Sequence, residues 1–200
     1  MGDLNERHQA IKTEISEALL RFSRVKPEQY FYELCFCLLT PQSNAYKCDE
    51  AVQLLKKQGF YGKDIDPKPF LRNKTRFYIN KSVYLEGMKQ NYNEIFEIIT
   101  SDILGYEKRE FLVKNVKGLG YKEASHFLRN IGHRNLAILD RHILRNMKRH
   151  GAIRSIPRSI TPKKYFLIEK KFMKFSDSIG IPMDELDLLF WANETGKVFK

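Results

Sequence analysis

The chain has too few cysteines, in the wrong arrangement, to be held together covalently. Only Cys35, Cys37 and Cys48 occur in 200 residues. An odd number without a CxxC pair argues against a disulfide framework or a zinc knuckle, and for a reducing compartment. Long apolar runs are also missing. Leu34–Leu39 is among the longest and is far too short to cross a bilayer. The opening Met1-Gly2-Asp3-Leu4-Asn5-Glu6 lacks the apolar segment of a secretory signal, so the expected location is the cytoplasm. No segment alternates with period two for long enough to make a sheet, and neither repeats nor low-complexity stretches occur.

What the chain has in excess is positive charge. With 35 Lys and Arg against 24 Asp and Glu, the formal net charge is +11, which points to a polyanionic partner. Arg141–Lys174 alone holds eleven of the cations and a single acid, Glu169. Tyr165, Phe166, Phe172 and Phe175 are interleaved with them. That pattern suits contact with a nucleic-acid backbone better than a bare charged tail does. A membrane surface fits less well, because no strongly amphipathic terminal helix accompanies the charge.

The apolar periodicity is helical almost throughout. Leu4, Ile11, Ile15, Ala18, Leu19 and Phe22 form one stripe at spacings mostly of three and four. Pro27 suits the first turn of a second helix, which ends near Leu39 because Pro41 disfavours helical backbone at Thr40. Ser43 is placed to cap a third helix that Gly59 ends. After a loop with two prolines, helices are expected from about Lys74 to Asn91, behind an Asn93 cap, and from about Glu107 to Val116. The last third reads as four more, starting near Tyr121, Asp140, Pro162 and Pro182. The expected fold class is all-α. It comprises two helical lobes in a single compact unit over residues 1–200, with both chain ends packed into one lobe.

The stretch Val116-Lys117-Gly118-Leu119-Gly120-Tyr121-Lys122 departs from ordinary helix packing. Glycine permits positive φ and close backbone approach. Gly118 and Gly120 therefore suit a tight hairpin whose amides, with the N-terminus of the next helix, face an anion. A phosphate held this way is read by position and not by base identity. The glycines alone fit an ordinary helix–helix turn equally well. Alone, Lys122 reads as a surface charge or phosphate contact. Asp140, 18 residues later at a helix start, reads as an N-cap.

Taken together, this hairpin and Leu139-Asp140-Arg141-His142-Ile143 resemble the helix–hairpin–helix DNA glycosylase superfamily. Its pattern is a Gly-x-Gly hairpin, a Lys just after it, and an Asp 18 residues on. The motif covers residues 115–143, and the resemblance places it at the junction of the two lobes. Leu38-Leu39-Thr40-Pro41-Gln42-Ser43 is similar to the helix end that carries a DNA-entering Gln in that family. The endonuclease III branch binds an iron–sulfur cluster through four cysteines near its C-terminus, and this chain has none after Cys48. The eukaryotic-type 8-oxoguanine enzymes carry an N-terminal β domain for which there is no sequence here. The chain is thus most similar to the compact type-2 8-oxoguanine DNA glycosylases, which end in a lysine, here Lys200, that helps tell 8-oxoguanine from guanine.

The resemblance implies a monomeric, nucleoid-associated DNA repair enzyme acting on duplex DNA that contains 8-oxoguanine. Its two activities would be base excision and lyase cleavage at the abasic site. Lys122 would attack C1′ and displace the base, leaving a Schiff base that allows β-elimination. Asp140 would stabilise the developing positive charge on the sugar and assist proton removal. Apart from the resemblance, His142 stands two residues after Asp140 and reads as a packed or solvent histidine before it reads as a brace for that carboxylate. A lysine must shed its proton to attack, and Lys117, the helix N-terminus and partial burial all push that way. Gln42 would fill the gap left by the extruded base, while Lys117, Gly118, Gly120 and Arg141 hold the backbone. Trp191 and Phe199 would stack on the base, and Lys200 would recognise it. No metal or other cofactor is expected, apart from a monovalent cation on the hairpin carbonyls as in the family. Two rival readings remain. One is an endonuclease III-like glycosylase for oxidised pyrimidines, and the other is a non-catalytic helix–hairpin–helix DNA-binding module.

Overall fold

A computed structural model describes residues 2–198, and among them the chain is helical without a strand. The helices are α1 (Gly2–Ser23), α2 (Tyr30–Leu39), α3 (Ala45–Gln58), α4 (Lys68–Leu71), α5 (Tyr78–Gln90) and α6 (Tyr92–Thr100). They continue as α7 (Gly105–Asn115), α8 (Tyr121–Asn130), α9 (Arg141–Arg149), α10 (Pro162–Ile179) and α11 (Met183–Thr195). A single 3-10 turn, Pro27–Gln29, precedes α2. None of these helices is long and apolar enough to cross a membrane.

The chain forms two compact units. One is Val25–Phe127; the other joins the residues up to Arg24 to those from Leu128 onward, so the division falls inside α8. The first unit is built around α2, whose Leu34–Leu39 stretch is entirely buried and packs on α3 and α5. Cys35, Cys37 and Cys48 are buried and form no disulfide, which is the behaviour of small apolar side chains. In the second unit α1 lies against α11, and α11 against α9 and α10. The predicted α1 stripe supplies Leu4, Ile15, Ala18, Leu19 and Phe22 to this core. Each large aliphatic side chain among them contributes roughly 1.5–3 kcal/mol. His8 of α1 also meets Glu185 of α11 at 2.6 Å, so both chain ends belong to one unit.

Several boundaries differ from the sequence expectation for local reasons. Asn44, not Ser43, caps α3 by accepting from the Lys47 N–H at 3.1 Å. The Ser43 hydroxyl is instead occupied by the Arg76 N–H at 2.9 Å. Helix α5 begins at Tyr78 and not near Lys74, because Asn73 and Phe77 both adopt left-handed backbone and break the run. Helix α6 starts at Tyr92, before the expected Asn93 cap, and the two-proline loop contains the short α4.

Candidate active site

The hairpin between α7 and α8 is tight for a steric reason. Leu119 donates its N–H to the Val116 carbonyl at 3.1 Å, and Gly118 sits between them at φ +89°. A Cβ on Gly118 would lie 2.3 Å from Cδ2 of Tyr84, so the α5 tyrosine ring covers the turn and only glycine fits beneath it. The exposed Lys117 ammonium lies 6.0 Å from the same ring centroid. Gly120 is different. Its φ is not positive, and a Cβ there would meet only the mobile carboxylate of Glu123 at 3.0 Å.

Gly120 is the residue before the first turn of α8, and Glu123 is the third residue of that turn. Glu123 Oε2 accepts from the Gly120 N–H at 3.3 Å, one half of a capping box. Its other oxygen, Oε1, is 3.0 Å from Lys122 Nζ. One carboxylate therefore holds both a hairpin amide and the candidate nucleophile, whose side chain keeps 25 % of its exposure. The contacting charge on Lys122 is thus a carboxylate, where the sequence suggested cationic Lys117. Glu123 went unread in the sequence, although a helix starting near Tyr121 puts it three residues after Gly120, the spacing of a capping box.

Gln42 lies on the turn that ends α2. It is exposed, and its φ of +56° is left-handed, an unusual state for a non-glycine residue. Lys81 of α5 holds this turn from below. Its side chain is 5 % exposed. It donates to the Leu39 and Pro41 carbonyls at 2.7 and 2.8 Å, and also contacts Ser43 Oγ at 3.1 Å and Thr75 Oγ1 at 2.8 Å. Burial lowers its pKa from 10.5 to about 8; Cys48 and Glu123 oppose that shift and Lys122 adds to it. Thr75 begins a second turn, at whose end Phe77 is 52 % exposed with φ +56°. Neither Lys81 nor Phe77 was signalled by sequence, since both read as members of an unbroken helix.

In the other unit Asp140 caps α9, its Oδ1 accepting from the Ile143 N–H at 2.8 Å. The loop leading to it is held by buried acids. Glu169 accepts from Ala137 N–H at 2.8 Å, and Asp184 from Asn135 N–H at 3.1 Å. Asp187 lies 3.3 Å from the Arg129 guanidinium. Burial pushes its pKa up to about 7, with Arg129 pulling down and Asp140 and Asp184 pushing up. Arg141 is exposed at the start of α9. His142 does not brace Asp140. It lies edge-on to Trp191, with ring centroids 5.2 Å apart, and its Nδ1 is 2.9 Å from Arg145. Trp191 is half-buried, and its buried indole N–H has no partner among the described residues. Phe199 and Lys200 lie outside the described residues.

All eleven Lys and Arg between Arg141 and Lys174 are exposed, whereas Glu169 is turned inward. Tyr165 and Phe172, however, are core residues at 4 % and 0 % exposure, so these two aromatics pack the unit and are not available to nucleic acid. Among the described residues no group of three His, Cys, Asp or Glu side chains could hold a metal ion. With only three cysteines in the sequence, a four-cysteine iron–sulfur cluster has no donor set.

The family model described as 8-oxoguanine DNA glycosylase (Ogg-HhH) matches residues 11–181. The 8-oxoguanine DNA glycosylase/AP lyase of Fusobacterium nucleatum is 48% identical over 176 residues, covering 84% of this chain and 81% of that one. The crystal structure of the 8-oxoguanine DNA glycosylase of Thermotoga maritima matches with a TM-score of 0.89 at 33% identity, covering 100% of this chain and 97% of that chain. The Methanocaldococcus jannaschii 8-oxoguanine glycosylase/lyase, solved with a 15mer DNA containing 8-oxoguanine, matches with a TM-score of 0.86 at 32% identity over the whole of both chains. Similarity of this extent, in sequence as well as in fold, is membership: the chain belongs to the 8-oxoguanine DNA glycosylase family of the helix–hairpin–helix type.

Proposed function

We propose that this protein excises 8-oxoguanine from duplex DNA and then cleaves the strand at the resulting abasic site. The observation that carries the reading is Lys122, partly exposed on the first turn of α8 directly beyond the Gly118 hairpin, in a chain of this family. Extruding the damaged base costs a few kcal/mol. The hairpin and the exposed cations hold the backbone while Gln42 fills the gap, and Trp191 stacks on the base with Phe199. Lys200 contributes to base recognition.

The Lys122 amine, once it has lost a proton, attacks C1′ as the bond to the base nitrogen breaks. The electron pair leaves with the base, which takes up a proton. Asp140, whose Oδ1 is spent on the α9 cap, offers its second oxygen to the cationic sugar and to the proton released from Nζ. Ring opening gives the protonated Schiff base. Loss of a C2′ proton then expels the 3′ phosphate, and water releases the lysine. A bifunctional enzyme follows from having an amine, and not water, as the nucleophile. The same reading assigns the hairpin carbonyls a monovalent cation and no other cofactor. It makes the protein a cytoplasmic monomer working at the nucleoid.

The test is borohydride trapping on an 8-oxoguanine:C duplex beside undamaged and thymine-glycol duplexes. The expected result is a covalent adduct on the 8-oxoguanine strand alone. Lys122→Gln should abolish the adduct and lower excision at least ~1000-fold, with duplex affinity nearly unchanged. An adduct only with thymine glycol would transfer the activity to oxidised pyrimidines. Binding without any adduct would leave a DNA-binding module.

A further inference from the structure

Gln42 and Phe77 share three features: each is exposed, each has left-handed backbone without being glycine, and each ends a turn leading to or from a helix. Left-handed backbone at a non-glycine residue is unfavourable by roughly 1 kcal/mol or more and persists only where the surroundings enforce it. The enforcing contacts are the same for both turns. Arg76 N–H donates to Ser43 Oγ at 2.9 Å, the Ser43 and Thr75 hydroxyls are 3.0 Å apart, and Thr75 donates to the Leu39 carbonyl at 2.8 Å. Lys81 Nζ is the common centre, with four oxygens from both turns within 3.1 Å. An ammonium has three protons and no acceptor, so four converging oxygens satisfy it completely. A buried cation so held fixes geometry strongly, because any displacement leaves it unpaired in a low-dielectric site.

We propose that Lys81 is a positioning residue for entry into the duplex: its ammonium bolts the Gln42 turn to the Phe77 turn, so that the two exposed side chains enter the DNA as one rigid element. Phe77 supplies the apolar face that stacks against a base step, and Gln42 the polar group that replaces the extruded base. The proposal rests on the reading that Gln42 enters the DNA. Lys81 touches neither substrate nor reacting atoms; its effect passes through the two turns.

The experiment compares Lys81→Met, Gln42→Ala and the double variant. Single-turnover excision of 8-oxoguanine at saturating enzyme is measured beside cleavage of a preformed abasic duplex, which requires no base extrusion. Lys81→Met and Gln42→Ala are each expected to slow excision about tenfold. Abasic cleavage by Lys81→Met should change less than about threefold, and the double variant should excise 8-oxoguanine no more slowly than either single one. Thr75→Val, which removes one strut and keeps the side-chain volume, should show the same split in weaker form. It carries the comparison if Lys81→Met does not fold. Equal loss of both activities in Lys81→Met and Thr75→Val, or additive losses in the double variant, would overturn the proposal and leave Lys81 a stability residue. No effect of Gln42→Ala on excision would instead remove the underlying reading of Gln42 and the proposal with it.

Discussion

The two units bury charges of opposite sign. In Val25–Phe127 the buried ionic side chains are cations: Lys81, Lys108 and Arg109. In the unit carrying Asp140 they are mainly acids, Glu169, Asp184 and Asp187, with Arg129 among them. The difference follows from which backbone groups each region leaves orphaned. In the first, the buried ends of α2 and α6 present carbonyls, which Lys81 and Lys108 satisfy, the latter donating to Ile99 O at 2.9 Å. In the second, the loop before α9 presents N–H groups at Asn135 and Ala137, which only acceptors can satisfy. Turning its one acid, Glu169, inward leaves the Arg141–Lys174 segment of the second unit with eleven exposed cations and no exposed acid of its own. The hairpin of the first unit is shaped by steric fit, and the loop before α9 in the second by buried acids.

Fit breaks by volume, and here the largest effect is expected. Gly118→Ala forces a methyl to within 2.3 Å of the Tyr84 ring at a φ that alanine resists. A loss of roughly 2–4 kcal/mol in urea denaturation is expected. Gly120→Ala meets only the flexible Glu123 carboxylate and should stay within about 1 kcal/mol. Adding Tyr84→Ala to Gly118→Ala should recover the steric part and leave the backbone part. Equal losses at the two glycines would show that the hairpin is shaped by both and not by the ring over Gly118.

Charge balance breaks by pH. Asp187 has a folded-state pKa of about 7 against an ordinary 3.8, so the folded protein binds this proton more tightly than the unfolded chain does. Its contribution is fully present below pH 3.8 and is lost as pH rises through about 7. The wild-type melting temperature should therefore carry a downward component between pH 4 and 7 that Asp187→Asn removes. Because Asp140 is one of the groups pushing Asp187 up, Asp140→Asn should move that component to lower pH. A wild-type and Asp187→Asn difference that is flat over this range would mean that Arg129 keeps the carboxylate ionised throughout.

Much of this was legible in the sequence, and the part that was not has a common cause. Helix α10 from Pro162, its Thr161 cap, the Gly59 and Gly196 stops and the all-α class all follow from local rules, and the structure agrees with them. So does the Asp140 cap. Lys81 and Phe77 were hidden because their meaning depends on a helix starting four residues later than periodicity suggested. Nothing local reveals that Phe77 turns left-handed, since the contacts that hold its turn come from Ser43 across the fold. Tyr165 and Phe172 misled for the converse reason. Aromatics among lysines look like a stacking surface until the helix face they share is known to point inward.

The smallest expected effect tests the outer cations. Lys163 and Lys170 on α10 are exposed and make no ion pair among the described residues, whereas Arg145 is 3.0 Å from Glu194. A cation that contacts a DNA phosphate releases condensed counterions, so its removal flattens the dependence of log K on log salt by about 0.9 per contact. Lys163→Gln and Lys170→Gln should each reduce that slope by up to about one. Arg145→Gln should reduce it less, because its charge is already shared with a carboxylate. Excision at saturating enzyme should be unchanged in all three, since these outer cations act on encounter with DNA and are not among the residues assigned to the reacting atoms. An unchanged slope in the two lysine variants would confine DNA contact to the hairpin and the Gln42 turn, and would make the basic face of α10 a solvated surface.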